Sequence, residues 1–69
     1  MKIKEIINLK TNIEKIHINQ VIRSNDIVTE NTVHYVGNLE NIPDVFHEEE
    51  IQSIDFLYSG GMIQAIIQI

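Results

Sequence analysis

Apolar and polar residues alternate most cleanly at the end of the chain. Ile54, Phe56 and Tyr58 fall on one side of an extended segment, with Asp55 and Leu57 on the other. After Ser59-Gly60-Gly61, the residues Ile63, Ala65, Ile67 and Ile69 repeat the pattern against Gln64, Ile66 and Gln68. A period of two is the signature of a strand with one buried face, so the segment reads as a β-hairpin. Gly60 and Gly61, as the loop of a type I′ turn, supply two positive φ angles without a Cβ penalty. That register sets Tyr58 opposite Ile63, Phe56 opposite Ala65 and Ile54 opposite Ile67, all on one apolar face. Moving the loop to Ser59-Gly60 would instead set Phe56 beside Ile63 and Leu57 beside Met62. The first register uses both glycines where positive φ is needed.

The opposite face of this hairpin carries Leu57, Met62 and Ile66 beside Asp55, Gln64 and Gln68. Apolar residues on both faces of a strand call for a cover on both sides. A chain of 69 residues has little material for a second covering layer. Leu57, Met62 and Ile66 are therefore the expected interface of a homo-oligomer, with a dimer favoured.

Upstream, Ile42-Pro43-Asp44-Val45-Phe46 reads as a loop entering a helical turn. Proline suits the first helical position and Asp44 suits the positive end of the dipole. Ile42, Val45 and Phe46 share a side, and Glu48, Glu49 and Glu50 disfavour continuation, so one short helical turn is expected near 43–49. Thr32 to Gly37 reads as a strand, with Ser24-Asn25-Asp26 and Glu30-Asn31 as turn candidates. In the N-terminal third, Ile3, Ile7 and Leu9 oppose Lys2, Lys4, Asn8 and Lys10; Ile16, Ile18 and Ile22 oppose Lys15, His17, Asn19 and Arg23. Two strands joined near Thr11-Asn12 follow from this alternation. Thr11-Asn12-Ile13-Glu14 also matches a capping box, which leaves a helix over residues 12–22 as the alternative. The expected fold is mainly β: one domain spanning 1–69, a small antiparallel sheet of about five strands, the helical turn and the C-terminal hairpin.

Charge adds a second pattern. Every Lys and Arg lies at or before Arg23, giving the first 23 residues a formal +3 and the remaining 46 a formal −8, for a net −5. Glu40, Asp44, Glu48, Glu49 and Glu50 form an acidic surface suited to a partner protein with a basic site. If the N-terminal segments pair as strands, their polar faces make a basic ribbon in which Lys4, Lys15, His17 or Arg23 holds a nucleotide-like anion. Double-stranded DNA would be repelled by the acidic two thirds, and no aromatic residue interleaves with the cations to stack bases.

Candidate chemistry is sparse. There is no cysteine, which removes disulfides and thiolate metal sites. His17, His34 and His47 are too far apart in sequence for a compact metal set, and His47-Glu48-Glu49-Glu50-Ile51 lacks the second histidine of a catalytic zinc helix. Ser24, Ser53 and Ser59 sit in no nucleophile elbow. Ser59-Gly60-Gly61 lacks the lysine of a phosphate loop, and His34 beside Tyr35 is a structural histidine before it is a general base. No enzyme, cofactor or metal is expected. No apolar run approaches the roughly 20 residues of a membrane span, and the N-terminus turns polar by Asn8, so a cytoplasmic protein without a signal peptide is expected.

His34-Tyr35-Val36-Gly37, then Ile42-Pro43, then Ile51 and Ile54 with the isoleucine-rich closing strand, resemble short accessory proteins of phages that infect AT-rich Gram-positive bacteria. The likeness covers about half the chain and rests on fold-forming residues. It implies a small acidic binding protein, without catalysis, that inhibits or redirects host or defence machinery from within the host cytoplasm.

Overall fold

The computed structural model describes residues 1–9 and 12–69. A short helix α1 (Ile3–Asn8) precedes strands β1 (Lys15–Ser24) and β2 (Ile27–Gly37). Two 3-10 turns (Leu39–Asn41 and Asp44–Phe46) then lead to β3 (Ser53–Ser59) and β4 (Met62–Gln68). The strands form one sheet in the order β2-β1-β4-β3. β1–β2 and β3–β4 are antiparallel hairpins, and β1 runs parallel to β4. The protein is mainly β, but the sheet is mixed rather than antiparallel and has four strands rather than five.

The C-terminal hairpin takes the register that two loop glycines dictate. Tyr58 pairs with Ile63, Phe56 with Ala65 and Ile54 with Ile67. Gly60 and Gly61 have φ of 59° and 77°, a region in which a Cβ would be strained. The β1–β2 loop reaches the same geometry without glycine. Asn25 and Asp26 take φ of 52° and 64°, and these are the side chains that best tolerate that region.

Residues 3–8 are the main correction: they form a helix, not the expected first strand. Ile3, Ile6 and Ile7 stand at i, i+3 and i+4, which is one stripe of a helix. Ile3 and Ile6 are buried, whereas a strand would have put Ile6 on the lysine face. The Glu5 carboxylate accepts the Lys2 N–H at 3.2 Å, which helps fix the first turn. Lys10, expected at the end of that strand, and the Thr11 turn and capping box lie outside the described residues.

Two further expectations shift. Glu30-Asn31 is not a turn but lies within β2, which begins at Ile27 rather than Thr32. The helical turn near 43–49 is a 3-10 turn over Asp44–Phe46. Residues 15–24 are a strand, so the helix alternative for 12–22 does not form.

One face of the sheet is covered. Ile16 and Ile18 of β1 and Ala65 and Ile67 of β4 meet Ile3 and Ile6 of α1 and Leu39 and Ile42 of the β2–β3 connection. Tyr35 closes the corner, its hydroxyl donating to the Asn38 carbonyl at 2.7 Å. The other face, which carries His17, Asn19, Gln64 and Ile66, has no layer over it among the described residues. β1 leaves β4 after the Asn19–Gln68 pair, so the rest of the β1–β2 hairpin projects as a two-stranded ribbon. Ile22, Ile27 and Val28 near its tip are exposed.

Candidate functional site

The acidic surface and the N-terminal cations turn out to be partners of one another. The helix α1 starts against the β2–β3 connection: Ile3 N–H donates to the Glu49 carbonyl at 3.1 Å and Lys4 N–H to the His47 carbonyl at 3.0 Å. Those are amides at a helix start, which have no acceptor inside the helix. The same approach brings two ammonium groups onto one carboxylate. Lys4 Nζ lies 2.8 Å from Glu48 Oε1, and Lys2 Nζ lies 2.9 Å from Glu48 Oε2. The N-terminal amine adds a contact of 3.3 Å to Glu50 Oε2.

Hydrogen bonds from Lys4 and Lys2, with their positive charge, lower the Glu48 pKa from 4.5 to about 2. A carboxyl whose folded pKa is depressed stabilises the fold above its unfolded pKa and loses that effect as pH falls through the folded one. The Glu48 contribution is therefore complete above about pH 5 and disappears toward pH 2. Lys2 is raised by the same partner, so its share persists below 10.5 and is lost as pH climbs past it. These groups are exposed, so salt screens them and the effect is small. Glu48→Gln is expected to flatten the fall in melting temperature between pH 5 and 2 at low salt. Identical acid profiles for the two proteins would show that the clamp contributes nothing.

The remaining acids are differently placed. Glu40 lies in the first 3-10 turn and Asp44 opens the second, with His47 Nε2 3.7 Å from Asp44 Oδ1. Among the described residues, Glu40 and Glu49 make no ion pair. The acidic surface thus exists, but Glu48 and Glu50 are partly neutralised within the chain.

The anion-binding candidates do not converge. Lys4 is held by Glu48. Lys15 and His17 share the uncovered face of β1, where His17 Nε2 hydrogen-bonds Gln64 Oε1 at 3.2 Å. Arg23 lies near the ribbon tip, eight residues beyond Lys15, or about 26 Å along the strand. With α1 in place of a strand, the expected basic ribbon does not form. The histidines are equally scattered: His34 Nε2 hydrogen-bonds Gln20 Oε1 at 2.9 Å, and His47 Nε2 donates to the Ile42 carbonyl at 3.0 Å. No group of three metal-ligating side chains gathers among the described residues. No helix there is long and apolar enough to cross a membrane.

Leu57, Met62 and Ile66 do share the uncovered face. Leu57 pairs with Gln64, Met62 with Ser59 and Ile66 with Asp55, so each apolar side chain has a polar one beside it. Lys15, His17 and Asn19 continue the mixture on β1.

A surface that pattern reading missed lies on the covered side. Phe56 and Tyr58 alternate as buried residues should, yet they are 63% and 76% exposed. The covering layer sits over β1 and β4 and stops short of β3, the edge strand. Between α1 and β3 it leaves an apolar groove of about 480 Å³, walled by Ile6, Leu9, Ile13, Ile54, Phe56 and Ile63. Asn12 is its one polar lining residue among those described. The described lining of this groove suits apolar groups and includes no acidic, basic or nucleophilic side chain. The shortness of α1 was the missing signal, since six residues are a span of only about 9 Å. No protein-family model matches the chain, and no curated protein and no solved structure matches it.

Proposed function

We propose that this protein acts by binding rather than catalysis, as a small phage-type accessory protein that inhibits or redirects a host protein in the host cytoplasm. Its acidic connection between β2 and β3 meets a basic site on that partner. The observation that carries this reading is the grouping of Glu40, Asp44 and Glu49, all exposed, on one connection. The chain's own cations Lys2 and Lys4 are committed to Glu48 instead. Opposite charge steers encounter and sets partner choice more than it tightens the complex. The scattered histidines and the apolar groove support a role without chemistry. A nucleotide-like ligand has less in its favour, because Lys4, Lys15, His17 and Arg23 share no pocket.

The test uses the protein as bait in a lysate of a Gram-positive host, followed by kinetics on the captured protein. Glu40→Lys combined with Glu49→Lys spares the Glu48 clamp. It is expected to slow association about tenfold or more at low salt and to flatten the salt dependence. Unchanged association by the doubly reversed protein removes the acidic surface from the reading.

A further inference from the structure

We infer that two copies of this chain join along β3, antiparallel about a two-fold axis at Phe56, to make one continuous eight-stranded sheet. This goes beyond the acidic surface and concerns the opposite side of β3 from its partner β4.

Among the described residues the free edge of β3 pairs with no other strand, and Asp55 is its one charged side chain. Natural sheets blunt their edges with lysine, proline or bulges. β2, the other edge strand, has two register shifts against β1, after Ile18 and after Ile22, which break its line of amides. β3 reads Ser-Ile-Asp-Phe-Leu-Tyr-Ser, without lysine or proline, and pairs with β4 without interruption.

The outward-facing groups follow from the ladder. Glu14 N–H donates to the Ile63 carbonyl, and Ile69 N–H donates to the Asn19 carbonyl, each at 2.9 Å. The odd-numbered residues of β4 therefore turn their backbone toward β1, and the even-numbered ones turn toward β3. Those even residues pair with Ser53, Asp55, Leu57 and Ser59. In an antiparallel pair the bonded and non-bonded residues alternate, so Ile54, Phe56 and Tyr58 present their N–H and C=O groups to the open edge.

Three such residues in a row fit a second copy in one register. Centred on Phe56, the edge sets Phe56 opposite Phe56 of the second copy and Ile54 opposite its Tyr58, giving about six intermolecular hydrogen bonds. Asp55 then faces Leu57 rather than another carboxylate. Centring on Asp55 would oppose two like charges, and centring on Leu57 would carry the ladder into the Gly60 turn. The two-fold axis keeps both covered faces on the same side, so Tyr58 of each copy closes the open flank of the other's groove beside Ile54.

Side-chain area suits a weak dimer. An aromatic residue buries roughly 150–250 Å², so two Phe56 and two Tyr58 rings at their present exposure offer about 400–700 Å². Because edge pairing leaves the outer faces of the rings in solvent, this is a ceiling, and with Ile54, Leu57 and the strand backbones the joint falls below the ~1,200 Å² that marks weak, transient interfaces. Stacking two uncovered faces through Leu57, Met62 and Ile66 would instead enclose the charges of Lys15 and Asp55, which have no assigned partner, along with the His17–Gln64 pair.

Sedimentation velocity of the full chain from about 1 to 500 μM is the test, with a dimer of micromolar dissociation constant expected. Phe56→Lys places two ammonium groups face to face on the axis and is expected to weaken the dimer about 100-fold. Tyr58→Pro removes both the outward N–H and the ring that closes the other copy's groove, touches no backbone group bonded to β4, and is expected to weaken the dimer about tenfold or more. Met62→Lys is expected to leave dimerisation unchanged. Circular dichroism establishes that each variant keeps its sheet, and Phe56→Lys carries the test if the proline variant does not. A monomer throughout the range overturns the inference, as does a dimer that Met62→Lys dissolves as readily as Phe56→Lys.

Discussion

Ile18→Ala is expected to lower the unfolding free energy by roughly 2–5 kcal/mol, whereas Ile22→Ala on the same strand and face is expected to cost less than about 1 kcal/mol. Both replace one β-branched residue at an even position of β1, so intrinsic strand preference cancels from the comparison. What differs is the cover. Ile18 is fully buried beneath α1, beside Ile67 and Tyr35. Ile22 lies beyond the end of β4, opposite Glu30 in the projecting ribbon, and is 48% exposed. A domain of this size has a total stability of roughly 3–10 kcal/mol, so the Ile18 cavity removes a large share of it. Urea unfolding followed by far-ultraviolet circular dichroism measures both variants. Equal midpoints would mean that the ribbon is as much a part of the core as the central sheet.

The same contrast marks what local sequence can express. The β3–β4 hairpin was legible in full, because Gly60-Gly61 fixes the turn and alternation fixes the face. Asn25-Asp26 was legible as a turn for a similar reason, in that two side chains tolerant of positive φ stand together. Alternation marks β2 only from Thr32, five residues short, because Ile27-Val28-Thr29-Glu30-Asn31 lacks a buried face, and in the structure that stretch is indeed a ribbon without a core beneath it. The parallel pairing of β1 with β4 has no local signature. It joins Ile16 to Ala65 and Ile18 to Ile67, residues nearly 50 positions apart, and rests on matching apolar faces alone.

The candidate surfaces follow the same rule. Charge asymmetry is visible in composition, and the basic N-terminus does meet the acidic connection between β2 and β3. Its first use is internal: Lys2 and Lys4 reach Glu48 across more than 40 residues, which counting charges cannot separate from a surface kept for a partner. Leu57, Met62 and Ile66 were placed on the correct face by parity. The same parity sets Phe56 and Tyr58 on the covered face, where they nevertheless stay exposed. Parity names the face, while the length of the covering element decides how much of that face is buried.

Ile6→Asp is expected to leave the protein largely unfolded at 25 °C, while Leu9→Asp is expected to change its stability by no more than about 1 kcal/mol. The pair separates the helix from the strand that alternation suggests. In a strand, Ile3, Ile7 and Leu9 would share the buried face, and Ile6 would stand with Lys2 and Lys4 in solvent. In the helix, Ile3 and Ile6 point into the core at 0% and 5% exposure, and Leu9 at the end is 62% exposed. A carboxylate at position 6 must either stay charged among Ile16, Ile18 and Ala65 without a partner or drag α1 off the sheet. Losing α1 also strips the core of Ile3 and releases the Glu48 clamp. Thermal melts of the two variants decide the matter: a cooperative transition retained by Ile6→Asp and lost by Leu9→Asp would restore the strand. The opposite result ties the stability of the sheet to six residues whose isoleucines, taken singly, favour a strand, and whose spacing at i, i+3 and i+4 makes them a helix.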